Sequence, residues 1–137
     1  MKVKQKGANA ERELIHLFWS TGTWSGVRVA GSGSMSYPSP DVIVSNGERR
    51  LAIECKSLSG TNKFFATREI SELQEFCSKF GAEPWIAMRF DNDKWYFLNL
   101  EDMKKNNKGY SISYSIAKQK GLLFEELIGV YRQARLV

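Results

Sequence analysis

Histidine occurs once in these 137 residues, as His16, and cysteine only twice, as Cys55 and Cys77. A zinc site built from His and Cys therefore lacks its ligands. Two cysteines cannot form a disulfide framework either, so both are expected to act as small buried apolar residues. No apolar run approaches the length that a bilayer crossing needs, which excludes a transmembrane helix and predicts no membrane partner. The N-terminus, Met1-Lys2-Val3-Lys4-Gln5-Lys6, is basic and lacks the apolar middle of a signal peptide. These absences lead to the expectation of a cytoplasmic protein that folds on a hydrophobic core alone.

The length suits one domain, expected to run from residue 1 to 137. A formal net charge of +5 tilts the partner towards a polyanion, although a solvated basic surface would give the same number.

Ala10, Leu14, Leu17 and Phe18 recur at helical spacing and predict a helix over 7–20. Val27-Arg28-Val29 predicts a short strand, and the small residues of 31–39 a loop. Asn46-Gly47 is a strong hairpin signal between strands over 41–45 and 48–56. A polar loop over 57–63 should lead to a second helix with Ile70, Leu73, Cys77 and Phe80 buried, stopped by Gly81. A hairpin over 85–90 and 95–100, a strand over 111–115 and a helix over 122–132 complete the order. Helix, strands, helix, strands, helix implies an α/β fold with a mixed sheet.

The first hairpin is informative through the parity of its side chains. With Asn46-Gly47 as a two-residue loop, Ser45 pairs with Glu48 and Asp41 with Ala52. Side chains alternate between faces. Val42, Val44, Leu51, Ile53 and Cys55 then form a core face, and Asp41, Ile43, Ala52, Glu54 and Lys56 share the other. Asp41 and Glu54 become diagonal neighbours roughly 7–8 Å apart at the backbone. Acidic residues are poor strand formers, and two side by side repel unless neutralised. A hard divalent cation answers that need with oxygen ligands it prefers, and it activates phosphodiesters. Lys56 would orient the attacking water or stabilise charge on phosphorus. The competing reading is a solvated sheet face with a Glu54–Lys56 ion pair. Pro40-Asp41 upstream of Glu54-Cys55-Lys56 favours the site.

Glu11 falls between Leu14, Ile15 and Phe18 on the helical wheel, whereas Arg12, Glu13 and His16 turn elsewhere. A carboxylate on an apolar stripe needs a partner, and a metal or Lys56 would serve. An acid near a helix start is also favourable without any ligand.

Pro40-Asp41 followed by Glu54-Cys55-Lys56 resembles the PD-(D/E)xK nuclease motif. The segments Lys6-Gly7-Ala8-Asn9-Ala10-Glu11-Arg12-Glu13-Leu14, Gly31-Ser32-Gly33 and Leu51-Ala52-Ile53-Glu54-Cys55-Lys56 resemble the archaeal Holliday-junction resolvases. The likeness continues through Phe76, Phe80-Gly81 and Ala87-Met88-Arg89-Phe90. It implies a restriction-endonuclease-like fold, with a central mixed sheet flanked by helices, and a homodimer. It implies Mg²⁺-dependent cleavage of four-way DNA junctions in recombination and repair, with Mn²⁺ able to substitute. By resemblance, Glu11, Asp41 and Glu54 are the metal-binding acids, Lys56 the catalytic lysine and Ser32 a catalytic-loop serine. Arg12 and Arg28 match basic positions tied to DNA contact or activity.

The residues themselves add two expectations. Lys2, Lys4 and Lys6 form a basic arm suited to a phosphate backbone. Trp85, Trp95, Phe97 or the last helix would supply an apolar dimer surface, unless they belong to the monomer core. Two other functions compete: a duplex-cutting nuclease of the same fold, and a non-catalytic module that binds branched DNA. The clustered acids argue against the latter, since acids facing phosphates repel DNA unless a metal is bound.

Overall fold

The computed structural model describes residues 3–31, 36–91 and 94–129, the first four of these by backbone alone. Helix α1 (Val3–Ser20) starts earlier than its periodicity suggests. It buries Ala10, Leu14 and Phe18, one side chain per turn. Strands β1 (Ser25–Arg28), β2 (Val42–Ser45), β3 (Arg50–Leu58), β5 (Glu83–Phe90) and β6 (Trp95–Leu98) form one sheet in the order β1-β2-β3-β5-β6. Only β3 and β5 run parallel, so the sheet is mixed.

The first hairpin has a longer loop than Asn46-Gly47 predicts. Ser45 pairs with Arg50 and Val42 with Ile53, leaving 46–49 as the turn. The Asn46 side chain accepts from the N–H groups of Glu48 at 3.0 Å and Arg49 at 2.7 Å. That Asx turn takes both residues out of the ladder. The slip is by two residues, an even number, so every side chain keeps its expected face. Val42, Val44, Leu51, Ile53 and Cys55 pack against α1, and Ala52 faces the opposite layer.

That opposite layer holds α2 (Thr67–Phe80), which buries Ile70, Leu73 and Cys77. Gly81, in the left-handed region at φ 83°, ends it by donating its N–H to the Cys77 carbonyl. Phe80 departs from the expected buried stripe. It is half exposed and stacks on Phe76, the ring centroids 4.9 Å apart.

The polar loop expected after β3 contains a strand instead. β4 (Asn62–Ala66), β7 (Lys104–Asn106) and β8 (Gly109–Ser113) form a second sheet in the order β4-β8-β7. Its Phe65 and Ile112 share a core cluster with Ile86 and Met88 of the main sheet. The last expected strand therefore ends two residues early. The Ser113 hydroxyl accepts the Ile116 N–H and opens helix α3 (Tyr114–Lys120). The expected final helix shrinks to α4 (Phe124–Leu127). Leu122 cannot be helical because it exchanges two backbone hydrogen bonds with Phe97, at 2.8 and 2.9 Å. Residues 130–132 of that expectation lie outside the described residues.

Trp85, Trp95 and Phe97 are all buried in the α1 layer, so they do not supply a dimer surface. Both cysteines are buried and unpaired with each other, as expected. Burial pushes the Cys55 thiol well up and that of Cys77 to about 11, so neither is a ready nucleophile. Among the described residues, no helix is long and apolar enough to cross a membrane.

Candidate active site

Asp41 stands one step before β2, where three backbone segments meet. Its N–H donates to the Ile53 carbonyl at 3.1 Å, and its carbonyl accepts the Val29 N–H at 2.9 Å. Its carboxylate Oδ2 accepts the Cys55 N–H at 2.9 Å. The side chain thus continues strand pairing after the ladder has ended, which fixes the carboxylate between β1 and β3. The regular ladder ends at Val42 and Ile53, and these bonds hold Asp41 alongside Ile53 to Cys55 of β3, next to Glu54.

Glu54 and Lys56 alternate with Cys55 along β3, so both project from the face that carries Asp41 and Ala52. The Glu54 and Asp41 side chains are in hydrogen-bond contact, and the Lys56 ammonium lies 3.7 Å from Glu54 Oε2. Glu54 is only 19 % exposed. Burial first, and the negative charge of Asp41 second, push its carboxyl up to about 8. A contact between two carboxyl groups requires a shared proton or a cation between them. The Lys56 ammonium partly offsets the charge and rests over the Phe65 ring, 5.8 Å from its centroid. Phe65 comes from the unforeseen strand β4, so no pattern in the sequence marked it as the support of Lys56.

Glu11 does face inward from α1, 17 % exposed, with Arg28 Nε 3.1 Å from its Oε1. Burial and then Asp41 raise its carboxyl, and the Arg28 hydrogen bond pulls the other way. Asp41 therefore influences both other acids. Arg28 closes β1 beside them, half-buried. Arg12 is exposed, and its guanidinium reaches only Asn9, at 3.3 Å. Ser32 lies outside the described residues; Lys4 and Lys6 are placed on the first turns of α1 with their side chains outside the description.

The donor set fits a hard divalent cation: two carboxylates in contact, one largely buried, with no soft ligand between them. Among the described residues, no group of three or more His, Cys, Asp or Glu side chains is arranged to hold a metal. Two of the three expected acids converge, and the third is held by Arg28.

Comparison with known proteins bears on the family and the fold. Residues 2–136 match the family model described as archaeal Holliday junction resolvase (Hjc). The crossover junction endodeoxyribonuclease Hjc of Archaeoglobus fulgidus is 33 % identical over 97 % of this chain and 96 % of its own length. That of Methanocaldococcus jannaschii is 32 % identical over 96 % of this chain and 93 % of its own. The crossover junction endodeoxyribonuclease Hje of Sulfolobus acidocaldarius is 35 % identical over 72 % of this chain and 73 % of its own. The solved structure of Archaeoglobus fulgidus Hjc, a Holliday junction resolvase, superposes with a TM-score of 0.81 at 32 % identity, covering 88 % of this chain and 96 % of that one. A mixed sheet flanked by helices, paired acids on its central strands and near full-length similarity lead to one assignment: the chain belongs to the archaeal Holliday junction resolvase family.

Proposed function

We infer that this chain is a crossover junction endodeoxyribonuclease, one that resolves four-way DNA junctions by hydrolysing phosphodiester bonds. The observation that carries the chemistry is the Asp41–Glu54 carboxyl contact with the Lys56 ammonium 3.7 Å from Glu54. The residue roles follow from it. Asp41 and Glu54 would hold a divalent cation, Mg²⁺ with Mn²⁺ able to substitute, and Glu11 would join them once released from Arg28. Such a cation supplies Lewis acidity towards the scissile phosphate.

The chain's own groups do the rest. Asp41 cannot swing away, because its backbone and carboxylate are tied to Val29, Ile53 and Cys55. Lys56, held over Phe65, offers a proton donor to the developing phosphorane charge or to the attacking water. Arg28 neutralises Glu11 in the resting site and is free to meet a phosphate once Glu11 turns to the cation. Arg12, exposed on α1, together with Lys4, Lys6 and Ser32, completes the proposed DNA-contacting and catalytic-loop set. One nuclease domain spanning 1–137 and a cytoplasmic location accord with this reading.

A synthetic four-way junction and a linear duplex of matched sequence, each with Mg²⁺ or with EDTA, test it. Junction cleavage in Mg²⁺, none in EDTA and a clear preference over duplex are expected. Equal cutting of both substrates would leave a general duplex nuclease, and cutting in EDTA would refute the metal role.

Two opposed cuts call for two sites, which a two-fold dimer supplies. An apolar groove on α2 supports a homodimer. It is formed by Phe76, the half-exposed Phe80 and Tyr37, which is 78 % exposed, with Glu75 and Lys79 at its rim. Replacing both phenylalanines with Ala should yield monomers by sedimentation at micromolar concentration. A dimer that persists would place the interface elsewhere.

A further inference from the structure

Between Met103 and Lys120 the chain carries five lysines and no acidic residue. The other fifteen basic residues are matched by fifteen acidic ones, so the net charge of +5 resides in this one stretch. It spans β7, β8 and α3. Lys104, Lys105 and Lys108 are exposed on the β7–β8 hairpin, and none of them meets a carboxylate among the described residues.

The hairpin is joined to the candidate active site by a row of side chains. Phe65 of β4 pairs with Tyr110 of β8, and Tyr110 pairs with Lys105 of β7. Directly paired residues share a sheet face. The Lys56 ammonium lies over the Phe65 ring, and the Lys105 ammonium lies 5.7 Å from the centroid of the Tyr110 ring. Each ring steadies a cation whose protons stay available to phosphate oxygens. Two strand spacings of about 4.8 Å separate β4 from β7, and a duplex rises about 3.4 Å per base pair. The hairpin therefore continues the row that starts at Lys56 and Phe65 across two more strands, a span on the scale of a few base pairs.

We propose that the β7–β8 hairpin, through Lys104, Lys105 and Lys108, grips the phosphate backbone of a junction arm a few base pairs from the cut. The proposal rests on the nuclease reading above and adds a second contact to it. The paired geometry makes the hairpin a guide that sets how an arm leaves the site. Lysines on an edge strand also deter strand addition. That role predicts no change in DNA affinity, so the two are separable.

The test uses the full-length protein in EDTA with a fluorescent four-way junction, its affinity measured from 50 to 200 mM salt. The variant Lys104→Gln/Lys105→Gln/Lys108→Gln should bind at least about tenfold more weakly near 0.1 M salt, and its log–log salt slope should fall by about two to three. The variant with Arg at the same three positions should restore both. Neutral methylphosphonate linkages two to four nucleotides from the cut should weaken the wild type and leave the Gln variant unchanged. A Gln variant with wild-type affinity and slope would overturn the proposal while the nuclease reading stands, provided that the wild type cuts the junction. A wild type that neither binds nor cuts junctions would overturn the nuclease reading, and this proposal with it.

Discussion

Replacing Glu54 with Gln should abolish junction cleavage in Mg²⁺ while binding survives. The substitution keeps size and hydrogen bonding but removes one of two converging carboxylates. Glu54 is tightly enclosed, 19 % exposed, and faces Asp41 across the strand pair. Glu11 is engaged by Arg28 in the resting site and, once released, is already a member of the proposed set, so it is no spare for Glu54. A loss of about a thousandfold in the single-turnover rate corresponds to about 4 kcal/mol of transition-state stabilisation. Affinity for the junction in EDTA should not fall, because a neutral amide repels phosphate no more than the acid does. A variant that cleaves within tenfold of the wild-type rate would remove Glu54 from the chemistry, whatever its binding.

The second large effect concerns stability in the absence of metal. The folded chain holds the Glu54 carboxyl at about 8, above its ordinary value of 4.5, through burial and the neighbouring Asp41 charge. The folded state therefore keeps a proton that the unfolded chain releases. The resulting stabilisation is fully present below pH 4.5 and is lost as pH rises towards 8. Glu11, raised by burial and by Asp41, acts in the same direction. Every tenfold difference in proton affinity between the folded and unfolded chain is worth about 1.4 kcal/mol, so a change of order a few kcal/mol is expected between pH 5 and 8.5. Urea unfolding in EDTA should show wild-type stability falling over that window and Glu54→Gln falling much less. At pH 8 the variant should be the more stable protein, and added Mg²⁺ should raise the wild-type melting temperature but not the variant's. Parallel pH profiles for the two proteins would mean that the acid pair is not forced together and is not poised to take a metal.

Much of the site could be read from local pattern. The alternation along β3 put Glu54 and Lys56 on one face with Asp41, and the even slip in the hairpin register left that conclusion intact. The wheel of α1 turned Glu11 inward and Arg12 outward, as the burial of the two bears out. What escaped was long-range. β4 was hidden in a polar run because a strand paired only with β8, nearly fifty residues away, carries no local signal of its partner. Trp85, Trp95 and Phe97 could be surface or core by composition, and packing under α1 made them core. Phe80 continued the helical stripe of α2 yet ends beyond the layer it would cover, which leaves it exposed.

The sequence by itself determined which side chains share a face, because strand and helix periodicities are set by backbone geometry and do not wait for the rest of the chain. It also narrowed the chemistry, since carboxylates with a lysine at that spacing limit the candidates before the chain folds. Only the tertiary structure decided which distant neighbour each charged group meets: Arg28 for Glu11, the Asp41 carboxyl for Glu54, the Phe65 ring for Lys56. Those pairings join residues distant in the chain, and their energies depend on burial, which exists only once the sheets and helices have closed on one another.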